Sequence, residues 1–462
     1  MTIKADYLVV GSGAMGMAFT DTLIKETDAT VAIVDKHGKP GGHWNDAYPF
    51  VRLHQPSAFY GVNSLNLGND QIDQTGWNEG LYELASGAEV CAYFDHVMQR
   101  IFLPSRRVQY FPMSEHLGDG KIRSLVSGQM SKVAAHKTVD ASYMNVKVPS
   151  VRGPLYDIDD GVACVALNEL PKISRPAAGY VVIGAGKTGM DACLWLLSNG
   201  VDPDSITWIM PRDSWMLDRA NIQPGEKFAN SIVTGTIRQM EAIAESSSVD
   251  ELFDKVNACG QLLRLSDDVR PSMYRCATVT RAELAQLQRI TNIVRKGRVT
   301  HISGDTIQLE KGSEPTSAAH LHIDCSADAL ERRPILPVFD GDHICLQSVR
   351  TCQQVFSAAF IAHIEASETD EAIKNQLCTV VPHPNSDIDF LRTTLANTLN
   401  AAAWAQKPDL QKWLANARLD GFTPAPGTRQ PAGAMPQETM SRFAQVAMPA
   451  VGNLQKLLGE IS

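Results

Sequence analysis

Two stretches of this chain carry the same glycine spacing. Residues 6–35 read DYLVVGSGAMGMAFTDTLIKETDATVAIVD, and residues 180–212 read YVVIGAGKTGMDACLWLLSNGVDPDSITWIMPR. In each, a strand-length apolar run is followed by a G-x-G-x-x-G turn, a helix-like segment and a second apolar run. That order constrains the fold strongly, because strand, tight turn, helix and parallel strand build the mononucleotide-binding unit of a doubly wound sheet. The predicted class is therefore α/β with two Rossmann-like dinucleotide-binding domains.

Within the first unit each residue has a physical task. Gly11 permits the tight turn, Gly13 lets a pyrophosphate approach the backbone, and Gly16 lets helix and strand pack closely. The helix begins at Ala14, and its N-terminal amides face the phosphates. The second strand ends at Asp35, 35 − 16 = 19 residues beyond the last glycine, with Lys36 beside it. A carboxylate there accepts hydrogen bonds from a free ribose 2′-hydroxyl, as in FAD or NAD, and repels a 2′-phosphate. The second unit repeats the turn with Gly184, Gly186 and Gly189, with Lys187 and Thr188 inside it. Its strand ends in Pro211-Arg212. A guanidinium at that point suits a 2′-phosphate, with Lys187 as a second positive charge, and so favours NADPH. The two ends together predict an FAD site on the first unit and an NADPH site on the second.

Composition narrows the partners. A chain of 462 residues has room for two or three domains. Its net charge of −9 argues against nucleic acid, whose phosphates demand a basic face. Apolar runs such as YLVV and YVVI are strand-sized, which predicts no membrane span. The chain enters a strand within a few residues, which predicts no signal peptide. Its nine cysteines are scattered without a CxxC, which predicts free thiols in a reducing cytoplasm, no disulfide framework and no metal site. Homo-oligomerisation is left open.

Between the units lies GGHWNDAYPFVRLHQP, residues 41–56. Flavoprotein disulfide reductases, which share the two-unit layout, carry a redox-active cysteine pair after such a glycine pair. Here the nearest cysteine is Cys91. The stretch instead resembles the GGxW…YP…R segment of class B flavin monooxygenases, the flavin-containing, Baeyer–Villiger and N-hydroxylating types, and RLHQPSAF is similar to plant auxin-forming members. EVCAYFDHVMQRIFLPSRRVQYFP (89–112) resembles the family's helix leading into a strand, with a capping box at Ser86–Glu89, and WIMPRDSW (208–215) resembles its R-x-x-W segment. The resemblance covers about the first half of the chain. It departs from the family in three places. The FxGxxxHxxx(F/W) signature is missing before the second unit, where the chain reads VPSVRGPLYDIDDGVACVALNELP, and His54 stands where Baeyer–Villiger members place an Asp. Ala-Thr-Gly is likewise replaced by TVDAS (138–142) and HIDCSA (322–327), which resemble each other as strand ends where the chain crosses between domains.

The resemblance implies an FAD-containing, NADPH-dependent monooxygenase that inserts one oxygen atom from O2 into a small organic substrate through a C4a-(hydro)peroxyflavin. A flavoprotein reductase or oxidase without oxygen insertion, or a non-catalytic flavin-binding protein, are the alternatives. It further implies that Gly42 and Trp44 line the flavin and that Arg52 and His54 approach its ring. Gln347 and Arg350, in the turn of HICLQSVRTCQQVFSAAFIAHIEA (343–366), would be ring neighbours as well. The second domain is read as inserted in the first: 1–175 for FAD, 176–320 for NADPH with a helical insertion at 216–296, 321–366 as the return to the FAD domain, and 367–462 as a helical tail capping the FAD domain.

Overall fold

The computed structural model describes residues 2–144, 149–326, 333–421 and 437–461. Four strands open the chain's first sheet: β1 (Tyr7–Val10), β2 (Val31–Val34), β3 (Val108–Phe111) and β4 (Lys137–Asp140). The strands of the second and third sheets follow: β5 (Cys164–Ala166), β6 (Gly179–Ile183), β7 (Ile206–Ile209), β8 (Ser214–Asp218), β9 (Leu262–Leu263), β10 (Met273–Val279), β11 (Ile293–Val294) and β12 (His320–Asp324). Two last strands, β13 (Phe339–Asp340) and β14 (His343–Cys345), rejoin the first sheet.

Its order is β13-β14-β4-β1-β2-β3, parallel except for the β13–β14 pair. The second sheet runs β5-β12-β6-β7-β11 and is parallel throughout. Each glycine strand, β1 and β6, lies inside its sheet and is buried, as the near-continuous apolar runs YLVV and GYVVI require. Helix α1 (Ala14–Glu26) follows β1, α2 (Gly87–Val97) precedes β3, and α3 (Lys187–Ser198) follows β6. The capping box of α2 forms as its sequence indicates: Ser86 Oγ accepts from Glu89 N, and the Glu89 carboxylate accepts from Ser86 N at 2.7 Å.

Several expectations need correction. The run LHID does not return to the first sheet. As β12 it pairs on one edge with β6 and on the other with β5, an interior strand whose last three residues are buried. The return falls after residue 326, and β5 places residues before 176 in the second sheet. Residues 216–296 are not wholly helical. Helices α4 (Glu226–Ala244), α5 (Val249–Ala258) and α6 (Arg281–Leu287) surround a separate three-stranded sheet, β9-β8-β10. Not all cysteines are free thiols: Cys276 and Cys352 form a disulfide.

The tail also divides. Helix α7 (Gln354–Ser367) packs on α1, where Phe356 and Phe360 meet Phe19 and Leu23 in one core. Helix α8 (Ile388–Ala405) spans two cores: Trp404 joins that first one, while Phe390 and Leu391 join Trp215 and Phe253 of the insertion. Helix α9 (Gln437–Ile461) turns Ala450, Leu454 and Leu457 into the insertion core and packs on α4, so the last helix caps the insertion and not the FAD-type unit. Most of the Pro/Gly-rich stretch GFTPAPGTRQPAGAMP lies outside the described residues.

Candidate functional site

The two glycine turns are built alike. Gly11 has φ 109° and Gly184 φ 133°, a region that side-chain-bearing residues avoid. The N–H of each closes the turn onto the last residue of the next strand, Gly11 to Val34 O at 2.8 Å and Gly184 to Ile209 O at 3.0 Å. A Cβ on Gly16 would overlap the Gly11 carbonyl oxygen, and one on Gly189 would overlap that of Gly184. Gly13 and Gly186 are the N-caps of α1 and α3; neither supplies a side-chain cap, and neither first turn holds an acid. The amides of Ala14 and Met15, and those of Lys187 and Thr188, therefore belong to helix starts suited to an anion. Both β4 and β12 end beside the glycine strand in an Asp that accepts from a Ser two residues on, Asp140 from Ser142 N at 2.8 Å and Asp324 from Ser326 N at 3.0 Å. The chain leaves each sheet directly after these strands.

The strand ends differ in charge. Asp35 is buried, and four donors converge on its carboxylate: Ser12 N at 2.5 Å, Ser12 Oγ at 2.9 Å, His37 N at 2.7 Å and His37 Nδ1 at 3.0 Å. His37 Nε2 reaches Asp46 at 2.9 Å. Lys36 is exposed. At the other end, Asp213 is buried in a two-point ion pair with Arg295, at 2.8 and 2.9 Å. Arg212 donates to Asn385 Oδ1 at 2.9 Å, and Arg275 donates to the same oxygen through Nε at 3.0 Å and through Nη2. Two guanidinium groups thus share a neutral acceptor at the end of β7.

Residues 41–56 join the units. Gly42 lies on Gly13, close enough that a Cβ on Gly42 would come within 2.9 Å of the Gly13 Cα. Trp44 Nε1 donates to the Tyr60 hydroxyl at 2.7 Å, and His43 stacks on the Trp44 ring at 5.5 Å between centroids. Further on, the Tyr48 hydroxyl donates to Asp191 Oδ2 at 2.6 Å, and Phe50 stacks on Trp195 at 5.3 Å. Both partners are on α3, so this segment docks the first unit onto the second. His43 is exposed, and Tyr48, His54 and Tyr60 are half-buried. Burial first, then the charges of Lys187 and Arg219, hold the His54 imidazole well below its usual value, and burial beside Asp191 pushes the Tyr48 hydroxyl well up.

The remaining candidates sit as follows. Lys187 pairs with Asp191 and so joins Tyr48; the structure does not bring it together with Arg212. Thr188 is half-buried in the first turn of α3. Arg52 is exposed and donates to Leu84 O at 3.1 Å, beside the Ser86 cap of α2. Gln347 is a correction: it is buried, and its amide bonds the Leu336 backbone at both ends, at 2.9 and 3.3 Å, so it fastens a loop. Arg350 likewise pairs with buried Asp420 at 2.7 Å and lies on the Phe356 ring. Sequence reading missed Tyr48, Asp191, Arg275 and Asn385. Lys187 and Asp191 stand four apart on a helix, a spacing that forms ion pairs, so that contact was readable. Nothing local marks Arg275 or Asn385, which meet across 110 residues.

Fold and site together define a protein of two Rossmann-like dinucleotide-binding units, the second threaded between strands of the first. Residues 9–71 match the family described as an NAD(P)-binding Rossmann-like domain. The chain is 55% identical over 419 residues to the uncharacterized protein Rv2000 of Mycobacterium tuberculosis (strain ATCC 25618 / H37Rv), covering 91% of this chain and 78% of that protein. The same figures hold for the uncharacterized protein Mb2023 of Mycobacterium bovis. The chain belongs to the family of these mycobacterial proteins. Among solved structures, a cyclohexanone monooxygenase from Rhodococcus sp. Phi1 bound to NADP+ overlaps 79% of this chain and 84% of its own at TM-score 0.48 and 12% identity. A flavin-containing monooxygenase from Stenotrophomonas maltophilia overlaps 82% and 100% at TM-score 0.44 and 13% identity. At such scores the likeness carries no conclusion about chemistry.

Proposed function

We propose that the chain is an FAD-containing, NADPH-dependent monooxygenase acting with O2 on a small organic substrate. The observation that carries this reading is the contrast of strand ends: an acid, Asp35, on the first glycine unit, and a guanidinium pair, Arg212 and Arg275, on the second. The residues present fit both cofactors. The uncapped start of α1 and the Gly42 backbone beside Gly13 suit the pyrophosphate of FAD, with Asp35 toward its ribose and Trp44 toward its ring side. The start of α3 and Arg212 suit NADPH. Bound there, FAD would supply the redox chemistry, taking hydride from NADPH and passing electrons to O2.

The chain's own part is placement and proton handling. Tyr48 and Phe50 hold the segment of residues 41–56 against α3, which fixes one unit over the other. His54, kept neutral by burial beside Lys187 and Arg219, has an imidazole nitrogen ready to accept or relay a proton. Lys187, steadied by Asp191, contributes positive charge beside His54. The missing family signature and the altered Ala-Thr-Gly sites support a second reading, a reductase or oxidase that does not insert oxygen.

The test is to follow the visible spectrum of the purified protein during anaerobic addition of NADPH, then oxygen uptake and hydrogen peroxide during turnover with a panel of amines, sulfides and ketones. Reduction by NADPH, with uptake that exceeds peroxide for some member of the panel, supports oxygen insertion. Equal uptake and peroxide throughout would move the assignment to the second reading. A flavin that NADPH does not reduce would sink both.

A further inference from the structure

Strand β10 does not run evenly beside β8. Trp215 pairs with Tyr274, but Leu217 pairs with Thr278, so Met216 alone faces Arg275, Cys276 and Ala277. The bulge is sharp enough to put Cys276 at φ 53°, a left-handed conformation foreign to a strand. It turns two neighbouring side chains to use. Cys276 is bonded to Cys352, and Arg275 reaches the Asn385 oxygen that Arg212 also meets. At the other end, Cys352 also has positive φ, 57°, in the turn before α7, and Asn397 of α8 fastens Thr351 next to it at 3.0 and 2.7 Å. The crosslink thus ties the insertion to the first unit across 76 residues. Both cysteines are half-buried, whereas Cys193, Cys325 and Cys378 are buried.

We propose that Cys276–Cys352 is a redox-reversible crosslink that fixes the bulge, and with it Arg275, as the second cation of the site Arg212 begins, so that its oxidation state sets the affinity of the second unit for a 2′-phosphate. The inference rests on the NADPH reading above. Two properties make the bond exchangeable. Partial exposure admits an attacking thiolate, and both half-cystines sit in a backbone conformation that relaxes once the sulfurs part. The step balances with a dithiol as reductant. One of its thiolates attacks a protein sulfur to give a mixed disulfide, and its second thiolate closes the reductant into its own disulfide. The protein keeps two electrons and two protons as two thiols. With the bond intact, a 2′-phosphate meets two guanidinium groups already gathered at Asn385 Oδ1, each able to give it a charge-assisted contact. With the bond open, Arg275 is held by Asn385 but no longer by its own strand.

The experiment is calorimetric titration of the full-length protein with NADP+ and with NAD+, before and after treatment with dithiothreitol, with non-reducing peptide mapping of both samples. The expected map joins Cys276 to Cys352 in the untreated protein. Reduction should weaken NADP+ binding about tenfold, the scale of one charge-assisted hydrogen bond. NAD+ binding should hold constant, and reoxidation should restore the NADP+ value. Cys352→Ser should reproduce the reduced state, and Arg275→Ala should show the same loss whether oxidised or reduced. Equal NADP+ affinity in the two redox states of the wild-type protein would overturn the proposal while leaving the NADPH reading intact. So would an Arg275→Ala protein that still responds to dithiothreitol, or two free thiols in the untreated map. No NADP+ binding in any state would overturn the NADPH reading and the proposal with it.

Discussion

The two glycine units share a backbone and differ in how their strand ends are occupied. On the first, Asp35 already has four protein donors, and His37 links it onward to Asp46. On the second, Arg212 and Arg275 meet on one neutral amide. The first end is hydrogen-bonded within the protein and pre-ordered, which on the proposed reading suits a cofactor that stays. The second brings positive charge from two distant segments onto a neutral amide from a third, which on the proposed reading suits a cofactor that comes and goes. On the proposed reading, backbone geometry makes each a dinucleotide unit, while the side chains at residues 35 and 212 decide which dinucleotide.

The hardest way to break the comparison is to strike what the units share. Gly16→Ala and Gly189→Ala each drive a methyl group into the preceding glycine's carbonyl, and overpacking of that kind costs about 1–3 kcal/mol. Gly16→Ala should lose flavin from the purified protein. Gly189→Ala should keep its flavin and lose reduction by NADPH. Absorbance per mole of protein and anaerobic NADPH titration check the pair, and flavin loss from both variants would mean that the units do not act separately.

Arg212→Ala strikes what distinguishes them. Loss of a charged hydrogen bond is worth about 1.5–3 kcal/mol, so the KM for NADPH should rise by about 10- to 100-fold while NADH is used as before. Steady-state kinetics with both nucleotides check it, and an unchanged NADPH KM would remove Arg212 from the site.

Legibility in the sequence followed the range of the interaction. Both glycine turns, the Asp35 and Arg212 ends and the capping box at Ser86 were readable because each is a local pattern whose geometry the backbone dictates. The residues that meet only through the fold were not. Arg275 reaches Asn385 because a bulge in β10 turns it there, and the register of β10 against β8 is set by packing around Trp215 that no short window contains. The disulfide escaped for the same reason: 76 residues separate its halves. Gln347 and Arg350 were placed by resemblance in the right turn, but resemblance does not say which way a side chain faces. Gln347 turns to Leu336 and Arg350 to Asp420.

A gentler probe of the first end is pH. Burial lowers the His37 value, but its hydrogen bond to Asp46 and the charge and hydrogen bond of Asp35 outweigh that and raise it above the usual imidazole range. A raised value means that protonated His37 stabilises the fold fully below about pH 6.5, and that this contribution fades as pH rises through the folded-state value. The thermal unfolding midpoint should therefore fall as pH is raised from about 6 to 8, and His37→Gln should flatten that slope. A slope that His37→Gln leaves unchanged would assign the pH dependence elsewhere.

The smallest effect should come from the contact that joins the two units. Tyr48→Phe removes one hydrogen bond to Asp191 but leaves its ion pair with Lys187 and the Phe50–Trp195 stack. One neutral donor to a charged acceptor that keeps another partner is worth about 1 kcal/mol, so the unfolding midpoint should drop only slightly. The informative reading is kinetic. If Tyr48 fixes one unit over the other, flavin content and NADPH affinity should both hold while the rate of anaerobic flavin reduction falls, because only the relative placement of two intact sites has loosened. If affinity falls and the reduction rate holds, the Tyr48–Asp191 contact shapes the second site itself, and alignment of the units rests on the aromatic stack.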